Sequence, residues 1–176
     1  MKDQGLEDLF RLYAKPLYYF LWKMSGSPHV AEDLTQETFV RATISLDTYE
    51  GEEARAWLFR VARNLYIDEW RKRKRRQTIP LVKLFYADDE MISPYGLPEE
   101  EVMAKELTGD LQELLGFLPE QYRSILYLRE VEQFSYAEIQ TALGLTEAQV
   151  KSNLHRARKK LAKIAEKGGW HHDGVE

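Results

Sequence analysis

The sequence predicts an all-α fold: two small helical domains joined by a flexible acidic linker. Apolar residues recur at helical spacing in both halves, as in Leu6, Leu9, Phe10, Tyr13, Leu17, Phe20 and Leu21. The β-branched alternation that strands require is missing. Between residues 77 and 110 periodicity gives way to Pro80, Pro94, Gly96, Pro98 and the acidic clusters Asp88-Asp89-Glu90 and Glu99-Glu100-Glu101. A loop of that length is unusual inside one compact domain, so the chain divides there.

The first apolar stripe defines a helix that ends at the Ser-Gly-Ser-Pro break, residues 25–28. Leu34, Val40 and Ile44 mark a second helix after a short turn. A third runs from about Glu52 through Arg73, with Trp57, Leu58, Val61, Ala62, Leu65, Ile67 and Trp70 as its apolar set. It enters the basic run Arg71 to Arg76, where no face remains to bury.

After the linker, the second domain runs from about 111 to 167, where Gly168 and Gly169 offer a stop before a mobile tail, 168–176. Ser135 with Glu138 is a capping-box signature that starts a helix at Tyr136. Gly144 breaks that helix, and Thr146 with Gln149 caps the next. At about 100° per residue, Val150, Leu154, Ala157 and Leu161 fall on one side of this last helix. Ala148, Ser152, His155, Arg156 and Lys159 fall on the other. One face packs and the other is polar and basic. That fits a helix-turn-helix whose second helix enters a major groove, or an ordinary helical hairpin with a solvated basic face.

The formal net charge of −4 conceals a partition along the chain. Residues 77–113 hold nine acidic against two basic side chains, whereas residues 1–76 hold 14 basic and 12 acidic. Local clustering, not the total, makes an electrostatic footprint. The absence of cysteine excludes disulfides and thiolate metal sites and suits a reducing cytoplasm. The apolar run Leu17 to Trp22 is far shorter than the ~20 residues of a membrane span.

The run Arg71 to Arg76 is a solvated helix end, a localisation signal or a nucleic-acid surface. It follows Trp57, Arg60, Arg63, Asn64, Tyr66 and Trp70, the aromatic, basic and amide mixture that single-stranded nucleic acid needs for stacking and phosphate neutralisation. Tryptophans at helical spacing, such as Trp57 and Trp70, are more often core residues than stacking platforms.

From about Leu6 to Leu161 the chain resembles a group IV bacterial sigma factor of the extracytoplasmic-function (ECF) type. Four segments carry the resemblance: AEDLTQETFVRA at 31–42, ARAWLFRVARNLYIDEWRKRKRR at 54–76, LPEQYRSILYLREVEQFSYAEIQTALGLT at 118–146, and LTEAQVKSNLHRARKKL at 145–161. The resemblance implies a promoter-specificity subunit of RNA polymerase with no catalysis of its own. A region 2 helical bundle, residues 1–76, would bind core polymerase and melt the minus-ten element. A region 4 helix-turn-helix, residues 111–167, would read the duplex minus-thirty-five element, with the acidic linker at 77–110 threading toward the RNA exit path. It also implies an anti-sigma partner, often membrane-anchored, that holds the protein at the inner face of the membrane. No cofactor, metal or small-molecule substrate is expected.

Carried over by motif, Asp33, Gln36 and Glu37 face the clamp helices of the polymerase; their i, i+3, i+4 spacing places them on one helix face. Trp57, Arg60, Asn64 and Asp68, followed by Arg71, Lys72 and Arg73, lie near the melted non-template strand. The loop from Tyr49 to Ala54 forms the pocket for a flipped base. Glu50, Glu52 and Glu53 depart from what nearby phosphates favour, and carboxylates there can accept from a cytosine amino group. Lys151, Ser152, His155 and Arg156 match the positions that touch the minus-thirty-five duplex, with Arg158 and Lys159 on phosphates.

The nearest rival is a helix-turn-helix regulator that binds DNA without polymerase. It accounts for the second domain and leaves the basic end of the third helix unexplained. Catalysis has little support: His29 with Glu32 and Asp33, or His171-His172-Asp173, have no second cluster to complete a metal site, and no phosphate loop or nucleophile motif occurs.

Overall fold

The computed structural model describes residues 2–45, 52–76 and 114–167, and all of its regular structure is helical. In chain order the helices are α1 (Lys2–Ser25), α2 (Pro28–Ser45), α3 (Glu52–Arg76), α4 (Glu120–Leu126), α5 (Tyr136–Leu143) and α6 (Glu147–Lys167). The linker with Asp88 to Glu90, residues 49–51 of the expected base pocket at Tyr49 to Ala54, and the tail 168–176 lie outside the described residues.

The break between α1 and α2 follows from residue chemistry. Gly26 adopts φ 71°, and its amide bonds back to the Trp22 carbonyl at 2.7 Å, a left-handed cap that glycine adopts without a Cβ penalty. Ser27 then caps α2, its hydroxyl accepting from the Val30 amide at 3.3 Å, with Pro28 in the first helical position. Thr35 and Thr38, both buried, satisfy their hydroxyls on the Ala31 and Leu34 carbonyls.

α4 continues into a π-helical turn, Tyr127–Val131, which ends as Glu132 and Gln133 redirect the chain toward α5. The Phe134 amide bonds to the Leu128 carbonyl at 2.9 Å, and Arg129 donates to the Phe134 carbonyl at 2.7 Å. Phe134, the residue this turn delivers, is fully buried.

Two helical domains are present as the sequence predicts, but their cores are continuous. An aromatic chain links them: Phe20 of α1 lies 5.3 Å from Phe59 of α3 and 5.5 Å from Tyr127, and Phe59 lies 5.1 Å from Phe134. This explains a difference at α3, which buries Phe59 and Tyr66 as well as Leu58, Ala62 and Leu65. One side of α3 meets α1 and α2, and a second meets α5. Trp57 and Trp70 are half-buried against the core. No helix among the described residues is long and apolar enough to cross a membrane.

Candidate nucleic-acid interface

The second domain builds its turn as its sequence predicts. Ser135 accepts from the Glu138 amide at 3.1 Å while Glu138 accepts from the Ser135 amide at 3.0 Å, closing the capping box. Gly144 ends α5 at φ 66°. Thr146 and Gln149 repeat the reciprocal pair at the start of α6, at 2.9 and 3.2 Å. Val150, Asn153, Leu154 and Ala157 are buried, and Leu161 is half-buried.

All six residues expected to meet the duplex are exposed on α6: Lys151, Ser152, His155, Arg156, Arg158 and Lys159. Lys151 pairs with Glu147 one turn earlier at 3.1 Å, and Arg158 reaches Glu130 at 3.0 Å. Exposed pairs of this kind contribute roughly 0–1 kcal/mol, so both cations can exchange partners for phosphate at little cost. Asn153 is the buried polar member of the inner face and does not stand out in the apolar pattern.

On α3 the third side is left open. Arg60, Asn64, Asp68, Arg71 and Lys72 are exposed and Trp57 is half-exposed. Apart from Lys72, these residues fall within about 80° of helix circumference, and Trp57 to Arg71 span about 21 Å. Arg73 bends back to Glu69 at 3.4 Å, and the Lys74 ammonium sits 4.9 Å from the Trp70 ring. Asp33, Gln36 and Glu37 are exposed together on α2, with Glu37 paired to Arg41 at 3.3 Å. Next to them is an apolar groove lined by Leu6, Phe10, Phe39 and Val40.

Three arginines of α3 do not face solvent alone; the spacing of the chain gave no sign of their partners. Arg63 forks onto Glu120, Nε to Oε1 at 3.0 Å and Nη2 to Oε2 at 3.2 Å. Arg55 donates through Nε (3.1 Å) and Nη2 to one oxygen of Glu138, with its guanidinium 4.3 Å from the Phe134 ring. Arg60 donates to the Thr141 carbonyl at the end of α5, at 3.3 Å. Burial raises the Glu138 pKa, but the hydrogen bonds from Arg55 and Ser135 together outweigh it and hold the carboxyl below the usual range. Glu132 shifts the opposite way: burial raises its pKa and the Arg55 charge only partly offsets this. Burial, then the nearby Glu132 charge, keeps the Tyr127 phenol protonated.

Comparison with known proteins accords with this geometry. Residues 9–76 match the family model for sigma-70 region 2, and residues 108–161 match sigma-70, region 4. The ECF RNA polymerase sigma factor SigM of Bacillus subtilis (strain 168) is 36% identical over 168 residues, covering 93% of this chain and 96% of the relative. SigW of the same organism is 31% identical over 174 residues, covering 92% and 89%. The sigma factor RpoE solved in complex with the anti-sigma factor NepR from Bartonella quintana superposes with a TM-score of 0.67 at 25% identity, covering 94% of this chain and 98% of that one. The chain belongs to the ECF RNA polymerase sigma factors, within the sigma-70 family.

Proposed function

We propose that this sigma factor mounts on core RNA polymerase and directs it to promoters through two readers. α6 lies in the major groove of the minus-thirty-five element, with Lys151, Ser152, His155 and Arg156 toward base edges and Arg158 and Lys159 on phosphates. The open strip of α3, Trp57, Arg60, Asn64 and Asp68 with Arg71, Lys72 and Arg73 beyond it, meets the melted non-template strand of the minus-ten element. There stacking and phosphate neutralisation offset the cost of unpairing. Asp33, Gln36 and Glu37 face the clamp helices of the polymerase.

The observation that carries this reading is the outward face of α6: six polar or basic residues, all exposed, on a helix fixed by a doubly capped glycine turn. A duplex-reading helix needs that combination of rigid placement and free side chains. Residues 1–76 form the polymerase-binding and minus-ten unit, residues 77–110 the connector, and residues 111–167 the minus-thirty-five unit. The protein works in the cytoplasm, performs no catalysis and is held in check by an anti-sigma protein. The whole-chain likeness to a sigma factor captured in such a complex supports that partner.

Run-off transcription with purified core polymerase on promoter variants tests the proposal. Initiation should depend on this chain and on both promoter elements. Strong duplex binding without polymerase, or initiation indifferent to the minus-thirty-five sequence, would overturn it and favour a stand-alone regulator.

A further inference from the structure

We propose that the π-helical turn Tyr127–Val131 braces the reading helix, and that Glu130 within it is a positioning residue that aims the Arg158 guanidinium at the phosphate backbone. The inference deepens the two-reader function proposed above and rests on it.

Two consecutive residues of the turn reach the two helices that follow it. The Arg129 guanidinium lies 4.9 Å from the ring of Tyr136, the first residue of α5, and its Nη1 donates to the Phe134 carbonyl at 2.7 Å. Glu130 reaches α6, where its Oε1 accepts from Arg158 Nη2 at 3.0 Å. Neighbouring side chains on a helix diverge by about 100°, so a single turn can serve both. The base on which Glu130 stands is fixed. Tyr127 and Leu128 are buried, and their carbonyls accept from the Glu132 amide at 3.2 Å and the Phe134 amide at 2.9 Å. Such π turns are rare in helices and recur at functional sites.

Arg158 leaves α6 at its flank: it falls about 40° around the helix from Leu154, whose side chain is buried. A long cation on the flank of a groove-bound helix meets the phosphate wall rather than the base edges on the groove floor. Its bond to Glu130 uses one nitrogen of the guanidinium, and among the described residues it has no other protein partner. Nε and Nη1 remain available, so Arg158 can hold Glu130 and a phosphate oxygen together. Two effects of Glu130 then compete. Ordering a rotamer-rich side chain on binding costs about twofold to tenfold in affinity, and the bridge removes part of that cost beforehand. Repulsion between Glu130 and a phosphate roughly 7 Å away across the guanidinium costs less than about threefold in water before salt screens it. The brace is the larger effect.

A double-mutant cycle, read as the affinity of the full-length protein on core polymerase for promoter duplex, tests the brace. Arg158→Ala should weaken binding about tenfold. Glu130→Ala should weaken it about threefold, and the double variant should bind no worse than Arg158→Ala, because Glu130 acts through the arginine. Glu130→Gln keeps an oxygen acceptor without the charge and should fall between the wild type and the alanine variant. Circular dichroism confirms that each variant is folded, and the same cycle run with glutamine carries the test if the alanine variant is not. A folded Glu130 variant that binds as tightly as the wild type or more tightly, or losses that multiply in the double variant, would overturn the brace. Run-off transcription by the wild type separates the two proposals: initiation that depends on the minus-thirty-five sequence while the losses multiply sinks the brace alone, and initiation indifferent to that sequence sinks the two-reader reading.

Discussion

Arg123 Nη1 donates to the Met24 carbonyl at 2.9 Å, joining two residues 99 positions apart in the chain. The same nitrogen reaches the Lys23 carbonyl at 3.4 Å, and Nη2 serves the carbonyls of Gly116 and Leu118 at 3.2 and 3.0 Å. Only 5% exposed, Arg123 satisfies the last turn of α1 from within the second domain. A cation there also meets the negative end of the α1 dipole.

Arg123→Ala should therefore cost about 3 kcal/mol or more in urea or thermal unfolding, because buried carbonyls lose their donors together. Arg123→Lys should recover less than half of that loss, since one ammonium cannot reproduce the fork. Equal stability of the lysine variant and the wild type would contradict the role given to the guanidinium.

Glu138 and Glu132, the two carboxylates that feel the Arg55 charge, should respond to pH with opposite sign. Glu138 is depressed in the folded state, so its contribution is present above the ordinary value of 4.5 and is lost as pH falls through its folded value. Glu138→Gln should cost about 1–3 kcal/mol at pH 7 and little at pH 3. Glu132 is raised in the folded state, so its charge is a liability at neutral pH that protonation relieves as pH falls toward 4.5. Glu132→Gln should leave stability at pH 7 equal or higher. Chemical denaturation of both variants across this range checks the signs.

On α6, base reading and phosphate contact should separate by salt. With Arg158 and Lys159 on phosphates, α6 contributes about −1.8 to the slope of log affinity against log salt, and Lys159→Ala should reduce that by about 0.9 on any sequence. Arg156→Ala should weaken binding of the polymerase complex selectively at minus-thirty-five bases, by roughly 1–3 kcal/mol. Equal loss on specific and scrambled duplex would refute a base-reading role.

The turn itself should be sensitive to small changes. Thr146→Ala removes the acceptor for the Gln149 amide and should cost about 1 kcal/mol. Gly144→Ala places a Cβ at φ 66° and should cost roughly 1–2 kcal/mol, although the nearest atom a Cβ would meet, Arg60 Nη2, is an unstrained 3.9 Å away. Unfolding of both variants, compared with Gln140→Ala as a control on α5, isolates the backbone effect.

What could be read from the sequence was local. The α1–α2 break at Gly26 and Pro28, the Ser135 box, the Gly144 stop and the Thr146 cap each sit within four residues of the group they satisfy, so a short window contains the whole argument. The outward face of α6 follows from the same periodicity. The seam between the domains does not. Arg55, Arg63 and Arg123 find partners 83, 57 and 99 residues away, and nothing in their neighbourhoods distinguishes them from solvated cations. Phe59 and Tyr66 mislead for a related reason: a helix buried on two sides carries two overlapping apolar patterns, and the stripe through Leu58, Ala62 and Leu65 conceals the other. The π-helical turn at Tyr127–Val131 has no signature of its own.

The inward side of α6 is secured by Val150, Asn153, Leu154 and Ala157, none of which belongs to the outward set. Under the proposed function, stability and vocabulary are thus written on opposite sides of one rod. Lys151, Ser152, His155 and Arg156 can be exchanged without disturbing what anchors them, so a duplicated copy of this chain can acquire a new genomic address through a handful of outward substitutions while still folding as its parent does.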